Sequence, residues 1–373
     1  VISASFTSQI PANGGNIHIN VSSSNLPWNA EIVENWNSGS STNAHLAWLE
    51  ASTDAAHVTE LTNQSANGTF KVGFDALNFP LVYLTPKVKI KVSINGLPAI
   101  NQIIEVVQLP LKPGTLNVMD VRHTSYGSLG GGGDYFTGYN DFLRASSLFG
   151  LNGIVHLPTI SITEKASGTS LGTISSEFRY LHAGGNPMYY DTNRFMRVEN
   201  WRLQNDGIVV YASDSKGDQF TNSESTLVKL GYEAADKVYA QPAKINTDLL
   251  TNGSDLEKNI MNYLLNDGPF GVVNNQGSLT FTMNGICVSL KSYGGVPVIV
   301  NGDGNAMLVL DPGNRLVYIG EGQMFDSGYN IKIQSDKDRL LGNLLSYVLN
   351  AALNGSAFTE IFFDNTRYNE KFR

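Results

Sequence analysis

Lys87-Val88-Lys89-Ile90-Lys91-Val92-Ser93-Ile94 alternates a polar with an aliphatic side chain at every step. Successive side chains of a strand point to opposite faces, so a period of two predicts a strand with one wet and one buried face. Shorter runs of the same kind lie on both sides of it. They are Asn16-Ile17-His18-Ile19-Asn20-Val21, Asn29-Ala30-Glu31-Ile32-Val33, Thr69-Phe70-Lys71-Val72 and Gln102-Ile103-Ile104-Glu105-Val106-Val107. Asn13-Gly14-Gly15, Asn67-Gly68 and Asn95-Gly96 are turn signals between them. Beyond the last run, Leu109-Pro110-Leu111-Lys112-Pro113-Gly114 reads as a linker, because proline cannot donate to a ladder and the periodicity changes after it. Residues 1–110 are therefore expected to be all-β.

From Thr115 the pattern changes to strands alternating with helices. Leu116-Asn117-Val118-Met119-Asp120-Val121 is a buried-type strand. Helices are predicted over Asp134 to Phe149, Asp191 to Gln204 and Asp255 to Leu265, the last capped by Ser254. Ile208-Val209-Val210-Tyr211-Ala212 and Phe270-Gly271-Val272-Val273 are predicted strands, and 278–300 reads as a hairpin excursion. Ala306 to Leu310 and Leu316 to Gly320 are two further strands, joined by the turn Asp311-Pro312-Gly313-Asn314. Ser335 caps a long final helix, Asp336 to Leu353. Several short strands in about 110 residues predict an immunoglobulin-like sandwich. Repeated β-then-α units predict a mostly parallel sheet between helices. The expected chain is thus multidomain, with an all-β sandwich over 1–110 and an α/β three-layer domain over 115–373.

Composition narrows the function. The 373 residues carry a formal net charge of −8, and only 16% are charged. An acidic chain without a basic face is a poor binder of nucleic-acid backbone or of an anionic membrane surface. No apolar run reaches the length of about 18 residues that a transmembrane helix needs. The first residues, Val1-Ile2-Ser3-Ala4-Ser5-Phe6, have no basic and then apolar leader, so the chain is read as cytosolic or already processed. One cysteine, Cys287, excludes an internal disulfide and a cysteine-rich metal site.

Two resemblances follow from particular residues. Asn13-Gly14-Gly15 before a strand, Val21-Ser22-Ser23-Ser24-Asn25 leading to Trp28, the later Trp48-Leu49 and the closing Glu105-Val106-Val107-Gln108 resemble the BACON module. That module is an immunoglobulin-like domain of secreted Bacteroidetes proteins, and here an insertion separates Trp28 from Trp48. The second segment resembles the class I glutamine amidotransferase-like, flavodoxin-like fold. Its carriers are Asn205-Asp206-Gly207-Ile208-Val209-Val210-Tyr211, the helix Leu256 to Leu265, Asn266-Asp267-Gly268 and Phe270-Gly271-Val272-Val273. Asn314 to Phe325 and Arg339-Leu340-Leu341-Gly342-Asn343-Leu344-Leu345 match the ending of non-catalytic relatives. This resemblance implies a sharp turn after Phe270–Val273 where active members carry a cysteine. Here that turn reads Asn274-Asn275-Gln276-Gly277, and amides are not nucleophiles.

Other chemistry is sparse. Cys287 lies in the alternating Ile286-Cys287-Val288-Ser289-Leu290 and is read as a buried, inert thiol. His18, His45, His57, His123, His156 and His182 form no HxxxH or HxH pair, so no metal site is expected. No Gly-x-Ser-x-Gly elbow occurs, and Gly130-Gly131-Gly132-Gly133 lacks the lysine and hydroxyl of a phosphate loop. No cofactor is expected.

Ligands of open α/β sheets sit beyond the carboxyl ends of the strands. The candidate ligand-binding residues at those ends are Asp120, His123, Asp214, Asn274, Asn275, Gln276, Glu321 and Gln323. Tyr126, Tyr135, Tyr139, Tyr180, Tyr189, Tyr190 and Trp201 add aromatic faces that suit sugars. The expected function is a secreted or cell-surface, non-catalytic binding or scaffolding protein. Its partner would be a glycan or another surface protein. The expected location is extracellular or periplasmic, either as a free secreted protein or as an outer-membrane lipoprotein. The rival is a hydrolase that uses carboxylates such as Asp214 and Glu321.

Overall fold

The structure, a computed structural model, describes residues 1–6, 9–35, 47–52, 54–76, 86–109, 115–121, 129, 136–150, 153–165, 171–184, 192–213, 218–235, 238–239, 242–281, 286–326 and 328–356. The chain divides into two compact units. One is Val1–Gly114 with His156–Pro158, and the other is Thr115–Val155 with Thr159–Arg373.

The first unit is all-β. Its strands are β1 (Ser3–Ser5), β2 (Gly15–Ser22), β3 (Trp28–Asn35), β4 (Trp48–Ala51), β5 (Asp54–Val58), β6 (Glu60–Gln64), β7 (Thr69–Phe74), β8 (Lys87–Ile94) and β9 (Leu97–Val107). They form two sheets, in the orders β1-β2-β7-β4-β5 and β6-β3-β8-β9. The alternation of 87–94 is realised directly. Val88, Ile90, Val92 and Ile94 enter a core shared by both sheets, with Trp28, Phe70 and Val72. The lysines between them face out. Lys91 meets Glu31 at 2.8 Å and Lys89 meets Glu34 at 2.6 Å across the β3–β8 ladder. Exposed pairs of this kind add little stability and chiefly fix cross-strand register. Trp28 is buried, and its indole N–H donates to the Ser65 carbonyl at 2.8 Å. The amino-terminal segment serves both sheets. β1 pairs antiparallel with β2, whereas Ile10 bridges in parallel to Gln108 just after β9.

The second unit holds β10 (Leu116–Val121), β11 (Phe149–Gly150), the first residue of β12 (Val155–His156), β13 (Ile160–Lys165), β14 (Phe178–Ala183) and β15 (Ile208–Ala212). Next come β16 (Glu233–Ala234), β17 (Val238–Tyr239), β18 (Ala243–Ile245), β19 (Thr280–Phe281), β20 (Ile286–Cys287) and β21 (Leu290–Ser292). The last strands are β22 (Val296–Val300), β23 (Ala306–Asp311) and β24 (Leu316–Ile319). The helices are α1 (Thr137–Arg144), α2 (Thr192–Gln204), α3 (Thr226–Lys229), α4 (Leu249–Asn252), α5 (Asp255–Leu265) and α6 (Asp336–Asn354).

One large sheet runs β13-β10-β14-β15-β24-β23-β22-β18-β19. β13, β10, β14, β15 and β24 are parallel to one another, and from β23 onward the pairings are antiparallel. The expectation of a mostly parallel sheet therefore needs correction: this is a mixed sheet with an antiparallel wing. The wing arises because β23 and β24 are joined by the turn at 312–315, too short for a crossover. β22, expected in a hairpin excursion, is a fully buried strand of the main sheet. On one face, Phe195, Val198 and Trp201 of α2 and Leu227 of α3 share a core with Leu181, Val209, Tyr211 and Tyr318. α6 packs on β14 and β15, with α1 and α5 beside it.

The predicted strand at 270–273 does not form, and the neighbour of β15 is β24. Two features divert the segment. Gly271 has φ +93°, which ends extended geometry. The Asn343 side chain on α6 also takes the segment's backbone groups. It accepts from the Phe270 N–H at 2.9 Å and donates to the carbonyls of Leu264 at 2.8 Å and Gly271 at 3.2 Å. The approach is close enough to require glycine on each partner. A Cβ at Gly342 would lie 2.4 Å from the Phe270 ring, and one at Gly268 would lie 2.2 Å from Asn343.

Candidate functional site

β10 is the point at which the parallel order reverses. The chain passes from β10 to its neighbour β13 on one side and then to β14 on the other. Connections that diverge in this way leave a crevice outside the carboxyl ends of the strands between them. At that place Asp120 of β10 and His182 of β14 are register partners. Paired residues of adjacent strands project to the same face, about 4.8 Å apart along the ladder. A carboxylate and an imidazole thus stand side by side, both fully buried.

The face around them is polar at its tips and aromatic in its body. Tyr180, two residues before His182, places its hydroxyl 3.1 Å from His182 Nδ1. Tyr139 on α1 places its own hydroxyl 2.8 Å from that of Tyr180. The Phe136 ring meets His182 edge-on at 5.2 Å. Asp120 Oδ2 accepts the Leu129 N–H at 2.9 Å. Burial pushes the Tyr139 hydroxyl above its ordinary range. It does the same to Tyr180, which the charge of Asp120 raises further. Both phenols therefore keep their protons at neutral pH.

Glu321 follows β24 and is almost fully buried. Its carboxylate accepts the Gln323 N–H at 3.0 Å and starts the short helical turn Gly322–Phe325. Gln323 is thus part of the Glu321 cap. Cys287 in β20 is buried, and burial together with the charge of Glu321 pushes its thiol up to about 11. Such a thiol stays protonated and is a poor nucleophile.

Asn274, Asn275 and Gln276 serve another purpose. The backbone N–H groups of Asn274 and Asn275 donate to Asp336 at 3.2 and 3.0 Å, and the Asn275 side chain adds a bond of 2.7 Å. Arg339 completes the set at 2.8 Å. Gln276 donates to Asn266 at 2.9 Å. Asn274 and Asn275 thus tie the end of the 266–276 segment to the first turn of α6, and Gln276 closes the segment on itself. Asn274 and Asn275, expected as ligand-binding residues, thus have Asp336 as their partner.

Several expected residues lie outside the described residues: His123, Asp214, Gly130 to Gly133, Tyr126, Tyr135, Tyr189 and Tyr190. Tyr139, Tyr180 and Trp201, expected as sugar-facing aromatics, are core residues. Among the described residues no group of three His, Cys, Asp or Glu could hold a metal ion. A groove of about 450 Å³ runs beside β13 and α1, past Leu143, Phe149, Ile160 and Ile162, and among the described residues none of the candidates lines it. His182 is not among the candidates legible in the sequence. Its one signal is that Tyr180 and His182 share a face of a strand that is otherwise apolar on its interior side.

No family model matches the chain, and no curated protein matches it. Among solved structures it is similar to self-complemented MyfA, the major subunit of Myf fimbriae from Yersinia enterocolitica. The identity is 12%, over 30% of this chain and 99% of that one, with a TM-score of 0.21. It is also similar to the Salmonella SafD adhesin, with 13% identity over 30% of this chain and 98% of that one, at a TM-score of 0.19.

Proposed function

We propose that this chain is a secreted or cell-surface protein that binds a glycan without transforming it. The binding place is the carboxyl edge of the parallel strands between β10 and β14. The observation that carries this reading is the pairing of Asp120 with His182 at the strand-order reversal. Both side chains are fully buried, so they support this edge from beneath while the ligand would lie beyond the strand ends. Three further facts favour binding over chemistry. The only thiol is buried and hard to ionise, the amides of Asn274 and Asn275 are engaged on α6 and that of Gln276 on Asn266, and the tyrosine hydroxyls nearest the site stay protonated.

On the same reading, the larger unit is a flavodoxin-like, amidotransferase-like domain without its nucleophile. The order β13-β10-β14-β15-β24 supports this, since it corresponds to the order 2-1-3-4-5 of doubly wound sheets. The antiparallel wing and the absent strand at 270–273 are its departures. The smaller unit is an immunoglobulin-like module of BACON type, and the location is extracellular or periplasmic, either free or lipid-anchored. Among the described residues no helix is long and apolar enough to cross a membrane.

A glycan array probed with the purified chain tests the proposal. The expected result is one or more glycans retained, with retention lost on Asp120→Asn and on His182→Leu. Retention unaffected by both variants would place the site elsewhere. Glutaminase activity above background, abolished by changes at 274–276, would refute the non-catalytic reading.

A further inference from the structure

The hydrogen-bond chain on the inner face of β14 has only one direction that satisfies all its protons. Among the described residues the Tyr139 hydroxyl has a single partner, the Tyr180 hydroxyl at 2.8 Å. The Tyr180 hydroxyl has two, Tyr139 and His182 Nδ1 at 3.1 Å. All three side chains are fully buried, so water cannot complete the set. Each phenol carries one proton, and burial keeps both phenols protonated.

Suppose Tyr180 gave its proton to Tyr139. The Tyr139 O–H would then be a buried donor without an acceptor, the arrangement that costs most. In the opposite direction every proton is used: Tyr139 donates to Tyr180, and Tyr180 donates to Nδ1. A ring nitrogen that accepts a hydrogen bond carries no proton of its own. We propose that Tyr139 and Tyr180 are positioning residues that hold His182 as the neutral imidazole with its proton on Nε2.

One consequence follows. With Nδ1 engaged by the Tyr180 hydroxyl, His182 keeps its proton on Nε2 and its Nδ1 is not available as a base. The tautomer does not depend on the binding function proposed above. Asp120 is the neighbour of His182 and favours a positively charged ring. A doubly protonated ring would have to donate from Nδ1 and would leave the Tyr139 proton without a place.

Imidazole nitrogen NMR on the full chain at neutral pH reads the answer directly. His182 is assigned through its contacts with the Phe136 and Tyr139 rings, which lie 5.2 and 5.8 Å away. The expected wild-type pattern is a pyridine-type Nδ1 and a pyrrole-type Nε2. Tyr139→Phe should keep that pattern, because Tyr180 still donates to Nδ1. Tyr180→Phe should displace the Nδ1 resonance, because its donor is gone. A merely structural role for the tyrosines would not separate the two variants. A pyrrole-type Nδ1 in the wild type, a doubly protonated ring, or a Tyr180→Phe spectrum identical to wild type would overturn the proposal. If Tyr180→Phe does not fold, the wild-type and Tyr139→Phe spectra still decide it. A glycan array without hits would sink the binding function and leave the tautomer standing. A wrong tautomer would sink this inference and leave the array result untouched.

Discussion

Replacing Asn343 with alanine removes the side chain that replaces a strand ladder for residues 264–271. The wild-type amide accepts from Phe270 N–H and donates to the carbonyls of Leu264 and Gly271. Asn343, Phe270 and Leu264 are buried, whereas Gly271 is partly exposed. After truncation, water can reach the Gly271 carbonyl but not the other two groups. Each buried group left without a partner costs about 1–3 kcal/mol, so the pair predicts a loss of about 2–6 kcal/mol. The local opening should be visible before global unfolding. Native-state hydrogen exchange at the Phe270 amide should accelerate by at least tenfold, since about 1.4 kcal/mol corresponds to one decade. Urea unfolding measures the global term. A loss under about 1 kcal/mol, with Phe270 protection unchanged, would refute the claim that this amide holds the segment out of the sheet. Asn343→Asp is the companion test. It keeps an acceptor for Phe270 but turns it against two carbonyls, so it should destabilise as well.

Three further outcomes are expected. Burial raises the Asp336 carboxyl, but bonds from Asn274, Asn275 and Arg339 outweigh it and leave the group below its ordinary value. The stabilisation it supplies is therefore full above the unfolded carboxylate pKa and is lost as pH falls through the folded value. Acid unfolding curves of wild type and Asp336→Asn should converge in that acidic range, and parallel curves would contradict the sign. Cys287→Ser should leave any binding intact, and alkylation of the native thiol near pH 8 should be slow, because its pKa is pushed up to about 11. Rapid labelling without unfolding would show an accessible thiolate. Trp28→Ala should cost about 3–5 kcal/mol in chemical denaturation through lost packing, and a cost under about 1 kcal/mol would mean Trp28 is not a core anchor.

The sequence was most legible where a local rule decides the outcome. The alternation of 87–94 places Val88, Ile90, Val92 and Ile94 in the core, because pleating leaves no other face for them. Ser335 caps α6 as predicted, with Asp338 completing a reciprocal capping box. Legibility failed where distant groups decide. Phe270 to Val273 is a short apolar run suited to a strand, and its fate is set by Asn343, 73 residues further along the chain. Val296–Val300 is equally apolar in a hairpin or a central strand, and periodicity does not reveal which partner it takes. Asp120 was visible as the polar residue ending a strand. His182 was not, because only the pairing of β10 with β14 brings the two together.

The split amino-terminal segment of the smaller unit has a mechanical consequence. Ile10 donates to the Val107 carbonyl at 3.2 Å and accepts from the Leu109 N–H at 2.8 Å, in parallel with the end of β9. Gln108 reinforces the junction, donating from its side chain to the carbonyls of Pro11 at 3.2 Å and Asp75 at 2.8 Å. A pull applied to the two ends of this unit slides Ile10 and Gln108 past each other along their common axis. The hydrogen bonds are then strained together in shear instead of parting one after another. A module tethered at one end and tugged at the other would resist extension through these few bonds, far more than its thermal stability alone would suggest.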